Sequence, residues 1–232
     1  MNRTSAPRYA LYFAPAAEHP LWRAGCNWLG RDPSSGTPWS PPSHPELADP
    51  WRYGFHGTLK PPMRLRPGTA EADWLDAVAQ VLRSHRRFDM PALRVAWLTD
   101  FLALRPQVAP DGQHPLRRLA DALVVEFDRW REPLSEAEAD RRVAPHFSAR
   151  QREQVRRFGY AHVLDDWRFH MSLTGSLHEA EPSRTDELLR QATSHFDAAL
   201  HAPLACEDVC VFVQREQDQP FVLAHRVPLA AA

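Results

Sequence analysis

Two stretches of this sequence, FHGTL at residues 55–59 and FHMSL at residues 169–173, carry an aromatic residue, a histidine, a hydroxyl residue and a leucine in the same order. They begin 114 positions apart, and at the same separation apolar residues of the following segments also coincide. The coinciding pairs are Trp74 with Leu188, Val78 with Ala192, Leu82 with Phe196, Val95 with Val209 and Trp97 with Val211. Their spacing is typical of a helix followed by a strand. One unit of strand, helix and strand is therefore predicted to occur twice.

The other predicted elements are short strands and amphipathic helices. Strands are predicted at residues 9–14, 53–59, 93–98, 101–104, 169–173, 209–213 and 221–227, with Pro61 and Pro62 ending the second of them. Helices are predicted at residues 21–29 and 115–130, after an N-cap at Thr69, after a capping box at residues 183–186, and in pieces across residues 133–158.

The duplication predicts an α+β fold with two lobes related by a pseudo-twofold axis. Each lobe is expected to be a small antiparallel sheet with helices on its outer face, and a central groove is expected between the lobes. We expect one bilobal domain over residues 1–232, with an N-terminal lobe at residues 8–105 and a C-terminal lobe at residues 115–229. Residues 32–50, rich in Pro, Ser and Gly, are predicted to form a long surface loop.

Composition and charge narrow the possible functions. The 28 basic and 29 acidic residues give a formal net charge of -1, so no global field draws the protein to nucleic acid or to a membrane. The three cysteines form no CxxC pair, which argues against a zinc site or a disulfide framework. The apolar run at residues 9–14 is shorter than the core of a secretion signal. We expect a soluble, cytoplasmic monomer without a metal, a cofactor or a membrane segment.

The two histidines suggest a specific chemistry. Alternate residues of a strand share a face, so His56 and Thr58 point one way, as do His170 and Ser172. A pseudo-twofold axis would bring the two rows together across the groove. Imidazoles titrate near neutral pH and can act as general base and general acid. Hydrolysis of a cyclic phosphodiester needs both roles, and the two hydroxyls can hydrogen-bond the phosphate oxygens.

A third triplet, HFS at residues 146–148, serves as a decoy. It is followed by alanine and lies in a highly charged stretch, so we interpret it as a chance match. The non-functional alternative for His56 and His170 is two strand histidines that are satisfied by backbone hydrogen bonds. The sequence leaves open which histidine is the acid and which is the base.

The paired motifs resemble the His-x-[Thr/Ser]-apolar signature of the two-histidine (2H) phosphoesterases. The resemblance extends over most of the chain and is closest to an uncharacterised bacterial branch encoded in phosphonate-degradation operons. It is carried by RYALYFAP (8–15), PLW (20–22), WLGRD (28–32), YGFHGTLKPP (53–62), PLSE (133–136) and RFHMSLTG (168–175). The sequence departs from the family pattern at Gly57, where alanine is expected, and at Ser172, where threonine is usual.

The resemblance implies a metal-independent cyclic phosphodiesterase with His56 and His170 as catalytic residues and with Thr58 and Ser172 as phosphate-binding residues. The phosphonate-degradation operons that encode the resembling branch imply ribosyl 1,2-cyclic phosphate 5-phosphate, a small phosphorylated partner, as substrate. The substrate-binding candidates are Lys60, Arg64 and Arg168 for the second phosphate, and Tyr9, Tyr12 and Tyr53 along the groove.

Three other functions remain open at this point. The first is an RNA 2',3'-cyclic phosphodiesterase, which the neutral charge and the absence of a basic-aromatic stripe disfavour. The second is a non-catalytic module that binds a nucleotide or a phosphosugar, which the retention of both histidines disfavours. The third is a metallohydrolase that uses His44, His56, His162 and His170, whose spacing lacks any tight ligand pattern.

Overall fold

The computed structural model describes residues 6–35 and 40–231, which contain seven α-helices and nine strands. The strands are β1 (Arg8–Phe13), β2 (Gly57–Met63), β3 (Phe88–Asp89), β4 (Leu93–Leu98), β5 (Phe101–Pro106), β6 (Met171–Ser172), β7 (Ala205–Cys206), β8 (Asp208–Gln214) and β9 (Val222–Pro228). The helices are α1 (Pro20–Leu29), α2 (Ala48–Tyr53), α3 (Glu71–Leu82), α4 (Pro115–Glu126), α5 (Glu136–Arg142), α6 (Ala149–Phe158) and α7 (Pro182–Leu200). No helix within these two ranges is long and apolar enough to cross a membrane.

The strands form small antiparallel sheets, which confirms the predicted α+β fold. A four-stranded sheet has the order β2-β1-β8-β9, a three-stranded sheet has the order β4-β5-β6, and β3 pairs with β7. The two motif strands, β2 and β6, are edge strands of different sheets and contact each other. The edges that carry the two histidine motifs therefore meet.

The two repeats exchange strands between the sheets. In each sheet the motif strand lies beside a strand that precedes it in the chain, β1 or β5, and the third strand, β8 or β4, comes from the other repeat. The sheets therefore do not follow the expected lobe boundaries, residues 8–105 and 115–229. A sequence pattern identifies a strand, but the choice of pairing partner depends on contacts that are distant in the chain.

Proline-rich segments are more regular than the sequence suggested. Strand β2 continues through Pro61 and Pro62 instead of ending there, because an edge strand can tolerate a missing N–H donor. The expected loop at residues 32–50 contains a 3₁₀ turn at Pro45–Leu47 and the start of α2. Pro45 and Pro50 occupy first-turn positions, where no backbone N–H is needed. Residues 36–39 of that loop lie outside the described residues.

Two helix starts also differ from the expected ones. Helix α3 follows an N-cap at Ala70 rather than at Thr69, and α7 begins at Pro182 after Glu181, before the expected capping box at residues 183–186. Proline suits the first turn of a helix, which explains the earlier start of α7. Capping boxes instead begin α5 at Ser135 and α6 at Ser148.

The core confirms the apolar stripes of the two equivalent helices. Trp74, Val78 and Leu82 of α3 and Leu188, Ala192 and Phe196 of α7 are all buried in it. Helix α1 contacts α7, and its Gly25 lies against the Phe55 ring so closely that a Cβ atom there would be 2.1 Å from the ring. This packing holds Phe55, and with it the start of the first motif, against the core.

Candidate active site

The two histidine motifs line one cavity of about 600 Å³, a size typical of small-molecule sites. His56 and Thr58 reach it from β2 and the residue before it, and His170 and Ser172 reach it from β6 and the residue before it. The other polar or aromatic residues of its wall are Arg8, Tyr12, Tyr53, Lys60, Arg64, Arg131, Glu132, Glu138, Arg142, Phe147, Phe158, Tyr160 and His162.

The two histidine rings are held by equivalent hydrogen bonds to the backbone. His56 Nδ1 lies 2.8 Å from the carbonyl oxygen of Gly54, and His170 Nδ1 lies 2.8 Å from the carbonyl oxygen of Arg168, in each case two residues back in the chain. A carbonyl oxygen can only accept, so both Nδ1 atoms carry the proton. In the neutral form of each ring, Nε2 is therefore left with its lone pair available. The Nε2 atom of His56 lies 3.2 Å from Thr58 Oγ1.

Gly54 sets the position of the carbonyl that holds His56. It ends α2 with a φ of 80° and a ψ of 171°, a conformation that L side chains rarely adopt. A Cβ atom at this position would also lie 2.9 Å from the Pro33 ring. The glycine therefore allows the chain to turn from α2 into the motif.

The motifs also pack directly against each other. The Phe169 ring covers Gly57, where a Cβ atom would be 2.5 Å and 2.7 Å from two ring carbons. Trp167 Nε1 donates a 2.9 Å hydrogen bond to the Thr58 carbonyl oxygen. The departure from the family pattern at Gly57 thus has a physical reason, since the second motif occupies the space of a side chain.

The surroundings of the histidines favour their neutral forms. The ring of buried Tyr12 stacks on His56 with the centroids 3.7 Å apart. The pKa of His56 is lowered to about 4, chiefly by burial and to a smaller extent by a charge on His170, while the hydrogen bond to the Gly54 carbonyl opposes the shift. Burial also lowers the pKa of His170, with a smaller opposing effect of the Arg168 carbonyl. Both rings are thus available as proton acceptors near neutral pH in the free protein.

Four of the six substrate-binding candidates lie in the cavity wall. Tyr12 lies on one side of His56, and the Tyr53 ring centroid is 6.3 Å from that of His56. Lys60 is only 2% exposed, and its Nζ donates to the Val124 carbonyl oxygen at 3.2 Å. Arg64 is half-buried and lies 3.5 Å from Glu138.

The other two candidates, Tyr9 and Arg168, do not line the cavity with their side chains. Tyr9 packs on Trp74 and donates a 3.0 Å hydrogen bond to Glu71, because it has the opposite strand parity from Tyr12 and faces the other side of β1. The side chain of Arg168 is exposed and only its carbonyl serves the site. The decoy His146 is exposed and outside the cavity wall.

The wall residues that the sequence did not identify as substrate-binding include Arg8, Arg142, Tyr160 and His162, the last of which was considered only as a metal ligand. Strand parity could have identified Arg8, since it shares a face of β1 with Tyr12. The other three lie in α5 or after α6, and no local pattern shows where those segments dock. In the part of the chain that the structure describes, no three His, Cys, Asp or Glu residues lie close enough together to hold a metal ion.

Fold and site together define an α+β protein with two equivalently held histidines in one cavity. A family model described as "Protein of unknown function (DUF1045)" matches residues 58–222. This match covers more than half of the chain, and the protein belongs to that family.

Two curated relatives share the name "Ribose 1,5-bisphosphate phosphokinase PhnN". The one from Janthinobacterium sp. (strain Marseille) is 35% identical over 240 residues, and the one from Laribacter hongkongensis (strain HLHK9) is 37% identical over 235 residues. The alignments cover 99% and 97% of this chain but 52% of each relative. The chain thus spans about half the length of the curated relatives it matches.

Solved structures with a similar chain course include E. coli LigT complexed with ATP, with a TM-score of 0.44 and 16% identity over 97% of this chain and 99% of that chain. Usb1 of Kluyveromyces marxianus has a TM-score of 0.41 and 8% identity over the same shares of the two chains.

Proposed function

We propose that this protein is a 2H-type cyclic phosphodiesterase that opens a small cyclic phosphate by general acid–base catalysis. The observation that carries the proposal is the matched pair of histidines. His56 and His170 each donate from Nδ1 to a backbone carbonyl and line one cavity beside a hydroxyl residue. The backbone hydrogen bonds alone would also fit the non-functional alternative, but that alternative gives no reason for both rings to meet in one cavity.

The proposed reaction is attack of water on phosphorus. One imidazole takes a proton from the water as its oxygen bonds to phosphorus, and the other gives a proton to the sugar oxygen as the phosphorus–oxygen bond breaks. The product is a phosphomonoester with a free sugar hydroxyl. The hydroxyls of Thr58 and Ser172 donate hydrogen bonds to the non-bridging oxygens.

We propose His56 as the base and His170 as the acid. The pKa of His56, about 4 in the free protein, keeps its ring neutral at physiological pH. His170 must be protonated to act as the acid, and a bound phosphate anion would raise its pKa by favouring the charged ring. Each positioned proton transfer contributes about 10²- to 10⁴-fold to the rate.

The proposed substrate is ribosyl 1,2-cyclic phosphate 5-phosphate. If the bond between phosphorus and the C2 oxygen breaks, the product is ribose 1,5-bisphosphate, the compound in the name of the two curated relatives. The chain holds a single lysine, Lys60, which follows Leu59 and so cannot form the Gly-Lys-[Ser/Thr] part of a nucleotide-binding P-loop. This supports hydrolysis rather than phosphorylation by this chain.

The test is turnover of ribosyl 1,2-cyclic phosphate 5-phosphate and of a 2',3'-cyclic nucleotide, followed by ³¹P NMR in excess EDTA. We expect the ribosyl compound to open to a single phosphomonoester at a rate that EDTA does not change. Faster opening of the nucleotide would favour an RNA end as substrate. Binding without turnover would favour a binding module, and activity that is lost in EDTA and restored by one divalent metal would favour a metallohydrolase.

A further inference from the structure

The cavity contains a buried cation that the proposed acid–base chemistry does not use. Lys60 is the only lysine of the chain, and it is 2% exposed. Its Nζ donates to a neutral group, the Val124 carbonyl oxygen, and it forms no ion pair within the described residues. Burial lowers the pKa of Lys60 to about 8, although Asp128 opposes the shift. An ammonium buried without a close counter-charge costs several kcal/mol, and an anion in the cavity would reduce that cost.

Four arginines line the same cavity, and one of them, Arg131, is paired with Asp128 at 2.8 Å. Arg142 donates to the Gly159 carbonyl oxygen at 2.9 Å, Arg8 donates to the Gln214 side chain at 2.6 Å, and Arg64 lies 3.5 Å from Glu138. Arg142 is exposed as a residue, but partial burial of its guanidinium lowers its pKa, and the cationic neighbours Arg64 and Arg8 lower it further, whereas Glu138 opposes this. These guanidinium groups therefore repel one another in the free protein, and a bound anion would relieve the repulsion.

The cations lie to one side of the histidines along the strands. On β2, Lys60 is two residues beyond Thr58, roughly 7 Å along the strand. On β1, Arg8 is four residues from Tyr12, roughly 13 Å along the strand. Since Tyr12 pairs with Thr58 and Tyr9 pairs with Met63, both displacements run in the same direction. The cavity thus has a histidine end and a cationic end, separated by about the length of a small sugar phosphate.

We propose that Lys60, Arg8, Arg64 and Arg142 form a second anion subsite, which holds a phosphomonoester of the substrate whose cyclic phosphate is attacked at the histidines. The inference rests on the proposed function and adds which part of the substrate the four cations recognise. The occupant is a terminal phosphate of a small sugar rather than a phosphate within an RNA backbone. The ammonium of Lys60 is buried, so the end of a molecule can enter and reach it, whereas an internal diester continues as chain on both sides. A terminal phosphate also carries up to two negative charges, and a diester carries one.

The kinetic test compares ribosyl 1,2-cyclic phosphate with and without its 5-phosphate. The ratio of the two kcat/KM values measures the contribution of the second phosphate. We expect Lys60→Met and Arg142→Gln each to lower this ratio by about 10- to 100-fold, as loss of a charged hydrogen bond does. Arg141→Gln changes the neighbouring arginine of α5, which is also exposed but lies outside the cavity wall, and it should leave both kcat/KM values unchanged. Equal losses on both substrates would overturn the subsite.

A binding test keeps the inference separate from the chemistry. Ribose 5-phosphate carries the second phosphate without a cyclic diester, and its affinity can be measured by calorimetry even if no cyclic phosphate is hydrolysed. We expect wild type and Arg141→Gln to bind it equally, and Lys60→Met and Arg142→Gln to bind it at least about 10-fold more weakly. Equal binding by all four proteins would overturn the subsite.

A third measurement uses an RNA-like substrate. A dinucleotide that ends in a 2',3'-cyclic phosphate offers an internal diester in place of the terminal phosphate. If its kcat/KM matches that of the 5-phosphorylated sugar and falls equally in Lys60→Met, the occupant is an RNA backbone and the inference is wrong. Failure of His56→Ala to lower turnover, with the subsite effects intact, would instead count against the proposed function alone.

Discussion

The close contact between Gly57 and the Phe169 ring can be tested by Gly57→Ala, which adds a single methyl group at this point. The added methyl group would lie 2.5 Å from the Phe169 ring, while ordinary contact begins at 3.4 Å. The ring or the strand must therefore move by about 1 Å. The ring has little room, since it packs against Phe13 and Trp167 with centroid distances of 5.8 Å and 6.1 Å.

Two consequences are expected from this displacement. Overpacking of a core costs about 1–3 kcal/mol, which lowers the melting temperature by roughly 2–10 °C in a protein of this size. Phe169 precedes His170, so the movement also shifts one of the two proposed catalytic histidines relative to the other. A displacement of about 1 Å between reacting groups can cost up to about 10²-fold in kcat.

The assay is a thermal melt together with kcat on the cyclic phosphate substrate, with two matched variants. Gly112→Ala adds the same group where no atom lies within 4 Å, so its melting temperature and kcat should match wild type. Gly57→Ala/Phe169→Leu makes room for the methyl group and should recover part of both losses. Wild-type stability and kcat for Gly57→Ala alone would refute the argument that the two motifs are held together by this contact.

Three further predictions concern the surroundings of His56. The pKa of His56 is about 4 in the folded state and its ordinary value is 6.5, so between these values the unfolded state binds more protons and the melting temperature should decrease as the pH is lowered. His56→Asn should make this decrease smaller, and a decrease as large as in wild type would contradict the assigned pKa. Tyr12→Leu removes the ring stacked on His56 and should raise its pKa toward 6.5 in an NMR titration, whereas an unchanged pKa would show that burial by Tyr12 is not the cause. Gly54→Ala forces a side chain into a left-handed conformation at a cost of about 1–3 kcal/mol and should lower kcat through the displaced carbonyl, so a normal kcat would count against that positioning.

The repeated motif allowed much of the fold and the four motif residues of the site to be predicted. Strand parity placed His56 with Thr58 and His170 with Ser172, and the cavity contains all four. Parity also distinguishes Tyr9 from Tyr12, because residues three apart on a strand face opposite sides. The sequence alone therefore held enough information to remove Tyr9 from the candidates.

Other features depend on contacts that local patterns do not contain. The exchange of β4 and β8 between the sheets is a choice of strand partner, and the position of Arg142 depends on where α5 docks. The predicted end of the second strand at Pro61 and Pro62 was wrong, because the effect of a proline depends on whether its strand lies at the edge of a sheet. Such facts follow from tertiary pairing, which a single sequence does not specify.

The central claim, that His56 and His170 act together on one phosphate, is tested most directly by the rates of the single and double alanine variants. We expect His56→Ala and His170→Ala each to lower kcat by about 10²- to 10⁴-fold, and the double variant to lose far less than the product of the two, because paired groups act as a unit. The exposed His146→Ala, from the decoy triplet, should keep the wild-type rate. Independent, multiplying losses, or a near-normal rate for either single variant, would contradict the account.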